Sequence, residues 1–264
     1  MLVVLKRDYS DLAREAASFI AKAVRANPSL RLGLATGTTM LGMYQELARR
    51  HQQEGLDFSR IVTFSLDEYL GLKSDHPRSF RRFMQENFFS RVNMDPRNIH
   101  FPDGTITDAY DEYCASYEQA IRAAGGIDLQ VLGIGRNGHI GFNEPTSSLA
   151  SRTRLKVLSP ETLDDNRKFF GPGETVPRCA ITMGIGTILE SRRIILLATG
   201  LAKAGAIAAA IEGPVTASVT ASALQLHPDV TFILDEEAAS RLKQKEYYRQ
   251  VLEMTAILVP SRLS

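Results

Sequence analysis

Apolar runs of strand length alternate with stretches of helical period from one end of the chain to the other. This alternation narrows the fold more than any other feature of the sequence. "RLGLA" (31–35), "IVTFSL" (61–66), "LQVLGI" (129–134), "RIILLA" (193–198) and "VTFIL" (230–234) read as strands apolar on both faces. Such strands belong to a mostly parallel sheet covered by helices on both sides, an α/β architecture. A further short strand fits residues 2–5. Between them, 11–26 sets Leu12, Ala16, Phe19, Ala23 and Val24 on one helical face, with Ser10 as the expected N-cap and Asn27-Pro28 as the stop. Helical periods recur at 40–53, 78–90, 108–124, 202–212 and 235–254. No repeat or linker rich in Pro, Gly and Ser interrupts the pattern, so residues 1–264 are expected to form one domain.

At 264 residues with 44% hydrophobic side chains, the chain has ample material for a core. Thirty-one basic residues against thirty acidic ones leave a net charge of +1, so no overall field draws nucleic acid or an anionic membrane. Any phosphate affinity must be local. Cys114 and Cys179 form no CxxC or zinc-ligand spacing, and the five histidines lack paired metal-ligand geometry. The apolar start "MLVVLKRDYS" is too short for a signal-peptide core, and no run reaches membrane-spanning length. A soluble cytoplasmic protein is expected.

In open parallel sheets, ligands gather at the carboxyl ends of the strands, which directs attention to four loops. The loop after 129–134 contains Gly133-Ile-Gly135-Arg-Asn-Gly138, a match to the dinucleotide pattern GxGxxG. That pattern works only when it opens a helix whose free amides hold the pyrophosphate. Here Gly138 is followed by His139, Gly141 and Pro145, which leave no room for one. The loop instead concentrates Asn137, His139, Asn143 and Glu144 among glycines. An imidazole near neutrality with a carboxylate to orient it suits acid–base work; a structural turn with a solvated Glu144 is the plainer alternative.

The other strand ends are also polar. Thr36-Gly37-Thr38-Thr39 offers amides and hydroxyls at a helix start, a cradle for phosphate or else an ordinary threonine cap. "ATGLAKAG" repeats the design and puts Lys203 in a first helical turn, where the dipole disfavours a cation unless an anion joins it. Asp67 and Glu68 directly follow an apolar strand, so one could serve as a desolvated base and the other as a helper or surface group. Arg78, Arg81 and Arg82 behind them fit a solvated helix face. These residues together suggest a site for a small phosphorylated metabolite, with His139, Glu144 and Asp67 as proton movers.

"GLATGTT", "TFSLDEYLGL", "GIGRNGHIGFNEPTSSLASRTR", "AITMGIGTIL", "ATGLAKAGAIAAAIEG" and "SALQLHPDVTFILDEEA" resemble, in order and spacing, the glucosamine-6-phosphate deaminase family, over about residues 30–240. The resemblance implies a Rossmann-like three-layer α/β/α domain. It also implies conversion of glucosamine 6-phosphate to fructose 6-phosphate and ammonia without metal or organic cofactor. The family's C2 base falls on Asp67, its ring-opening histidine on His139 and the carboxylate partner on Glu144. Asn137 stands where other members carry Asp or Asn. Thr36, Gly37, Thr38, Thr39 and Lys203 match phosphate-binding positions, as does Lys168, where the family can carry Arg. Thr38-Thr39-Met40 replaces a common Gly-Thr-Pro form. Regulated, hexameric members bind N-acetylglucosamine 6-phosphate just beyond this loop; Ser147, Ser148, Arg154 and Lys156 match that site, while Val157 replaces a hydroxyl residue. Regulation and homo-oligomerisation are therefore open expectations, and "SRTRLKVL" as an exposed strand is the plainer alternative.

Two other functions compete. A 6-phosphogluconolactonase shares this fold and phosphate loop but needs activated water rather than a base aimed at C2. A non-catalytic sugar-phosphate sensor normally adds a basic helix-turn-helix, for which this nearly neutral chain shows no sign. The connection 155–176, with Gly171-Pro172-Gly173 and "NRKFF", is expected to be a long surface connection or a mobile lid.

Overall fold

The computed structural model describes residues 1–258; the remainder of the expected 1–264 span lies outside the described residues. Its first half contains β1 (Leu2–Lys6), α1 (Tyr9–Ala26), β2 (Arg31–Leu34), α2 (Leu41–Glu54), β3 (Val62–Ser65), β4 (Asp67–Tyr69), α3 (Phe80–Asn87), β5 (Ile99–His100), α4 (Tyr110–Ala123) and β6 (Leu129–Leu132). The second half adds β7 (Arg154–Val157), α5 (Pro160–Arg167), β8 (Cys179–Thr182), α6 (Ile185–Leu189), β9 (Arg193–Ala198), α7 (Ala204–Glu212), β10 (Val230–Asp235) and α8 (Lys245–Leu258).

Seven strands form one sheet in the order β1-β10-β9-β6-β2-β3-β5, every pair parallel. Flanking helices make it a three-layer α/β/α fold, as the apolar runs require: Leu32, Leu34, Phe64, Leu129, Val131, Ile194, Ile195, Phe232 and Ile233 are all buried. From β2 the chain moves outward through β3 to β5; from β6 it moves the opposite way through β9 to β10. The order therefore reverses between β2 and β6, opening a crevice at their carboxyl ends.

A second, antiparallel sheet, β4-β8-β7, stands beside the first. Leu66 joins the two: its N–H bonds the Leu34 carbonyl at 3.0 Å, while its own carbonyl accepts from Met183 N–H at 2.7 Å. Asp67 thus begins a strand of its own rather than a loop after one.

Two helix boundaries depart from expectation. Asp8, not Ser10, caps α1, because its carboxylate accepts the Asp11 N–H at 2.9 Å while the Ser10 hydroxyl receives Arg14. The helix expected over 235–254 starts only at Lys245. Ala238, Ala239 and Leu242 are buried in turns instead, and Glu212 at the end of α7 receives the N–H groups of Lys243 and Gln244 just ahead of α8.

Candidate active site

The loop leaving β6 passes through turns, and the next helix is α5 at Pro160, so no helix follows Gly138 to hold a dinucleotide. Within it the Asn137 amide links two groups. Its Nδ2 donates to Glu144 Oε2 at 3.0 Å, and its Oδ1 lies 2.7 Å from His139 Nδ1. That orientation assigns the proton to Nδ1 and leaves Nε2 as the nitrogen available to a ligand. Glu144 Oε2 lies 3.5 Å from the same Nδ1. A Cβ on Gly135 would fall 2.3 Å from His139 Cε1, so only glycine lets the ring sit there.

Glu144 is 3% exposed. Burial alone would raise its carboxyl, yet hydrogen bonds with His139, Thr162 and Asn137 and the imidazole charge hold it at about 2. The Ser159 N–H, at the start of α5, adds a donor at 3.2 Å.

Asp67 stands opposite Thr182 in the β4–β8 ladder and is 7% exposed. Burial, reinforced by the charge of Glu68, pushes its carboxyl up to about 8. Glu68, pointing to the other face of the strand, accepts the Ser79 hydroxyl at 2.8 Å and the N–H groups of Phe80 and Arg81 at 3.0 Å. The pair is thereby divided: Glu68 caps α3, and Asp67 is turned to the cavity.

β2 and β9 end in similar turns. Gly37 (φ 116°) leads into a 3-10 turn Thr38–Met40 and then α2; Gly200 (φ 87°) leads into Leu201–Lys203 and then α7. Since β6 lies between β9 and β2, the His139 loop lies between the two turns. Thr36, Gly37, Thr38, Thr39, Asp67, His139, Lys168 and Lys203 all line one cavity of about 350 Å³. Burial foremost depresses the Lys203 ammonium; Asp165 opposes this, and Arg136 and Lys168 depress it further. Arg136 is paired with Asp165, so Lys168 and Lys203 are the cations that favour an anionic guest.

Asn137 and Glu144 sit behind His139 rather than on the cavity wall, and Ser147, Ser148, Arg154 and Lys156 lie away from it. Arg154 and Lys156 belong to β7, which is partly buried rather than an exposed strand; Arg154 Nη1 donates to Asn143 Oδ1 at 2.9 Å. Ser147 is buried with its hydroxyl unpartnered among the described residues, and Ser148 Oγ accepts the Ala150 N–H. The connection 155–176 is not a bare loop, because α5 occupies its centre and Asp165 pairs with Arg136 at 2.6 Å. Among the described residues no group of three potential metal ligands occurs, and no helix is long and apolar enough to cross a membrane.

Thr162, Asn166, Tyr69 and Arg136 also line the cavity, although their types and spacing do not mark them in the sequence. Asn166 acts on the Tyr69 hydroxyl and Thr162 on Glu144, so α5 borders the surroundings of both Asp67 and His139. Ser159-Pro160 was the available signal, since Ser159 caps α5 and Pro160 opens it.

Residues 7–232 match the family model described as glucosamine-6-phosphate isomerases/6-phosphogluconolactonase. A glucosamine-6-phosphate deaminase of Arthrobacter sp. (strain FB24) is 51% identical over 253 residues, covering 96% of this chain and 97% of that protein. One from Shewanella loihica (strain ATCC BAA-1088 / PV-4) is 47% identical over 264 residues, covering 100% and 98%. The solved structure of a monomeric glucosamine-6-phosphate deaminase superposes with a TM-score of 0.89 at 44% identity, over 91% of this chain and all of that one. A 6-phosphogluconolactonase from Trypanosoma brucei, 19% identical, gives 0.72 over 91% of this chain and 98% of its own, a likeness of fold alone.

Proposed function

The chain belongs to the family of glucosamine-6-phosphate isomerases and 6-phosphogluconolactonases, and on that premise we propose that it converts glucosamine 6-phosphate and water to fructose 6-phosphate and ammonia. The reaction belongs to amino-sugar catabolism. The observation that carries this reading is one cavity walled by a buried carboxylate near neutrality, an imidazole with a fixed tautomer, two polar turns, and Lys168 and Lys203.

The sugar phosphate rests on Thr36–Thr39, Lys168 and Lys203. His139 handles the ring oxygen: a proton reaches O5 as the O1 hydroxyl loses one, and the C1–O5 bond opens to an aldehyde. Asn137 and Glu144 hold the imidazole for this step. Only then is the C2 proton acidic. Asp67 takes it, and the electron pair left behind forms the C1–C2 double bond as the C1=O π pair moves onto O1, which gains a proton from the C2 ammonium to give an enolamine. Redelivery of a proton to C1 leaves an iminium at C2; water adds there, ammonia leaves, and the C2 ketone remains. A base near the operating pH is the form best suited to such a transfer. The substrate ammonium beside Asp67 favours the ionised carboxylate.

A lactonase reading gives Asp67 no work at C2. The test is a coupled assay for ammonia and fructose 6-phosphate, run beside hydrolysis of 6-phosphogluconolactone. Production of both from glucosamine 6-phosphate is expected, lost in Asp67→Asn; lactone hydrolysis without ammonia release would overturn the proposal. A homo-oligomer, and activation through Ser147, Ser148, Arg154 and Lys156, belong to the same proposal. A rise in turnover with N-acetylglucosamine 6-phosphate, absent in Lys156→Ala, tests the activation.

A further inference from the structure

The two turns assigned to phosphate share a backbone course but are braced from behind by different groups. Behind the first, the Tyr9 hydroxyl accepts the Gly42 N–H at 2.7 Å and donates to the Thr38 carbonyl at 3.2 Å. Behind the second stands Asp235, the last residue of β10 and 5% exposed. Its carboxylate accepts the Thr199 hydroxyl, the Gly200 N–H at 3.0 and 3.1 Å, and the Ala238 N–H at 2.7 Å.

Those bonds decide what the second turn offers. Gly200, at φ 87° and ψ 153°, has its amide turned to Asp235, and the Thr199 hydroxyl is taken by the same group. Lys203 N–H closes the turn on the Gly200 carbonyl at 3.0 Å. Ala202 and Lys203 are the residues of this turn left on the cavity wall. We propose that Asp235 is a positioning residue for the substrate phosphate, fixing Thr199 and Gly200 so that the turn carries Lys203 to the phosphate end of the cavity. The inference rests on the phosphate role of Lys203 given above. A brace that served only the end of the β9–β10 ladder would affect stability without selecting for phosphate.

Steady-state kinetics and inhibition by inorganic phosphate separate the cases, using Asp235→Asn, Thr199→Val, Lys203→Ala and the double variant Asp235→Asn/Lys203→Ala. Asp235→Asn is expected to raise the KM for glucosamine 6-phosphate and the inhibition constant for phosphate together, by about 10-fold, with kcat within about 2-fold. Thr199→Val keeps the carboxylate and removes one bond, so a rise of about 3-fold is expected; it decides the matter if Asp235→Asn does not fold. If Asp235 acts through Lys203, the double variant binds no worse than Lys203→Ala alone. Multiplying effects in the double variant, or a fall in kcat at unchanged KM, overturn the proposal. Lys203→Ala with wild-type KM and phosphate inhibition would instead remove the phosphate assignment itself.

Discussion

Glu144 and Asp67 are both buried carboxylates serving one cavity, yet they lie at opposite ends of the carboxyl range, about 2 against about 8. Burial pushes both upward, so burial cannot be what brings Glu144 below the ordinary carboxyl value. Glu144 sits among donors: the Asn137 amide, the Ser159 N–H, the Thr162 hydroxyl and the His139 ring. Asp67 has Glu68 as a like-charged neighbour and, among the described residues, no such set. One carboxylate is held ionised beside an imidazole and the other titrates near neutrality, which are the states the proposed holding and proton-exchanging roles require. Donor supply is what sets two buried carboxylates so far apart.

Replacing the exchanging group should have the largest effect. Asp67→Asn is expected to lower kcat by about 10³-fold or more, since the amide cannot take the C2 proton. The same variant tests the environment of Asp67. Its folded pKa near 8 exceeds the ordinary 3.8, so stability falls as pH rises from about 4 through 8 and levels off above. Asp67→Asn has no such titration and should therefore gain stability over wild type with rising pH, by a few kcal/mol at about pH 9. Equal melting temperatures at pH 5 and 9 relative to wild type would mean that Asp67 is not desolvated. For the free wild-type enzyme, kcat/KM should rise with pH through about 8 as the base ionises; a profile flat from pH 6 to 9 would contradict it.

The two carboxylates also differed in how readily the sequence disclosed them. Asn137, His139 and Glu144 lie within one loop, so their types and spacing announced a working cluster. The residue pattern alone left Asp67 and Glu68 open, and only the family resemblance favoured Asp67, because neighbours on a strand face opposite ways and the pairing of β4 with β8 decides which faces the cavity. The main sheet was legible because its strands are apolar on both faces. The small sheet was less so: "DEY", "RLKV" and "CAIT" are short, the first two carry charges, and all three become strands through partners far away in the chain, so that only "SRTRLKVL" was open to reading as a strand. Thr162 and Asp235 stayed hidden for the same reason, since each acts on groups well removed in sequence.

Disturbing the holding group should do less than removing the exchanging one. Glu144→Gln keeps the shape of the relay but removes the charge facing His139, and a loss of about 10²-fold in kcat is expected for the ring-closed substrate. The loss should shrink when ring opening is bypassed with an acyclic substrate, as it should in His139→Gln. An equal loss with both substrates would place Glu144 in the carbon step and erase the division of labour. At low pH Glu144 supplies a second check. Its folded pKa near 2 lies below the ordinary 4.5, so its stabilisation is present above about 4.5 and is lost as pH falls through 2. Glu144→Gln should therefore flatten the acid limb of the stability profile.

Asn137→Asp should produce the smallest change and sharpen the comparison most finely. The amide now donates to Glu144 at 3.0 Å and accepts at 2.7 Å from His139, a bridge that needs one donor and one acceptor. An aspartate keeps the acceptor and turns the donor into a second negative oxygen about as far from Glu144. Two carboxylates that close cannot both remain ionised without a cation, and the imidazolium between them is the cation at hand. The pH–rate limb that reports ring opening should therefore move to higher pH with a change in kcat of less than about 10-fold, while the limb set by Asp67 stays in place. Movement of both limbs together would show that the two centres titrate as one unit, and the contrast between Glu144 and Asp67 would then describe a single coupled site.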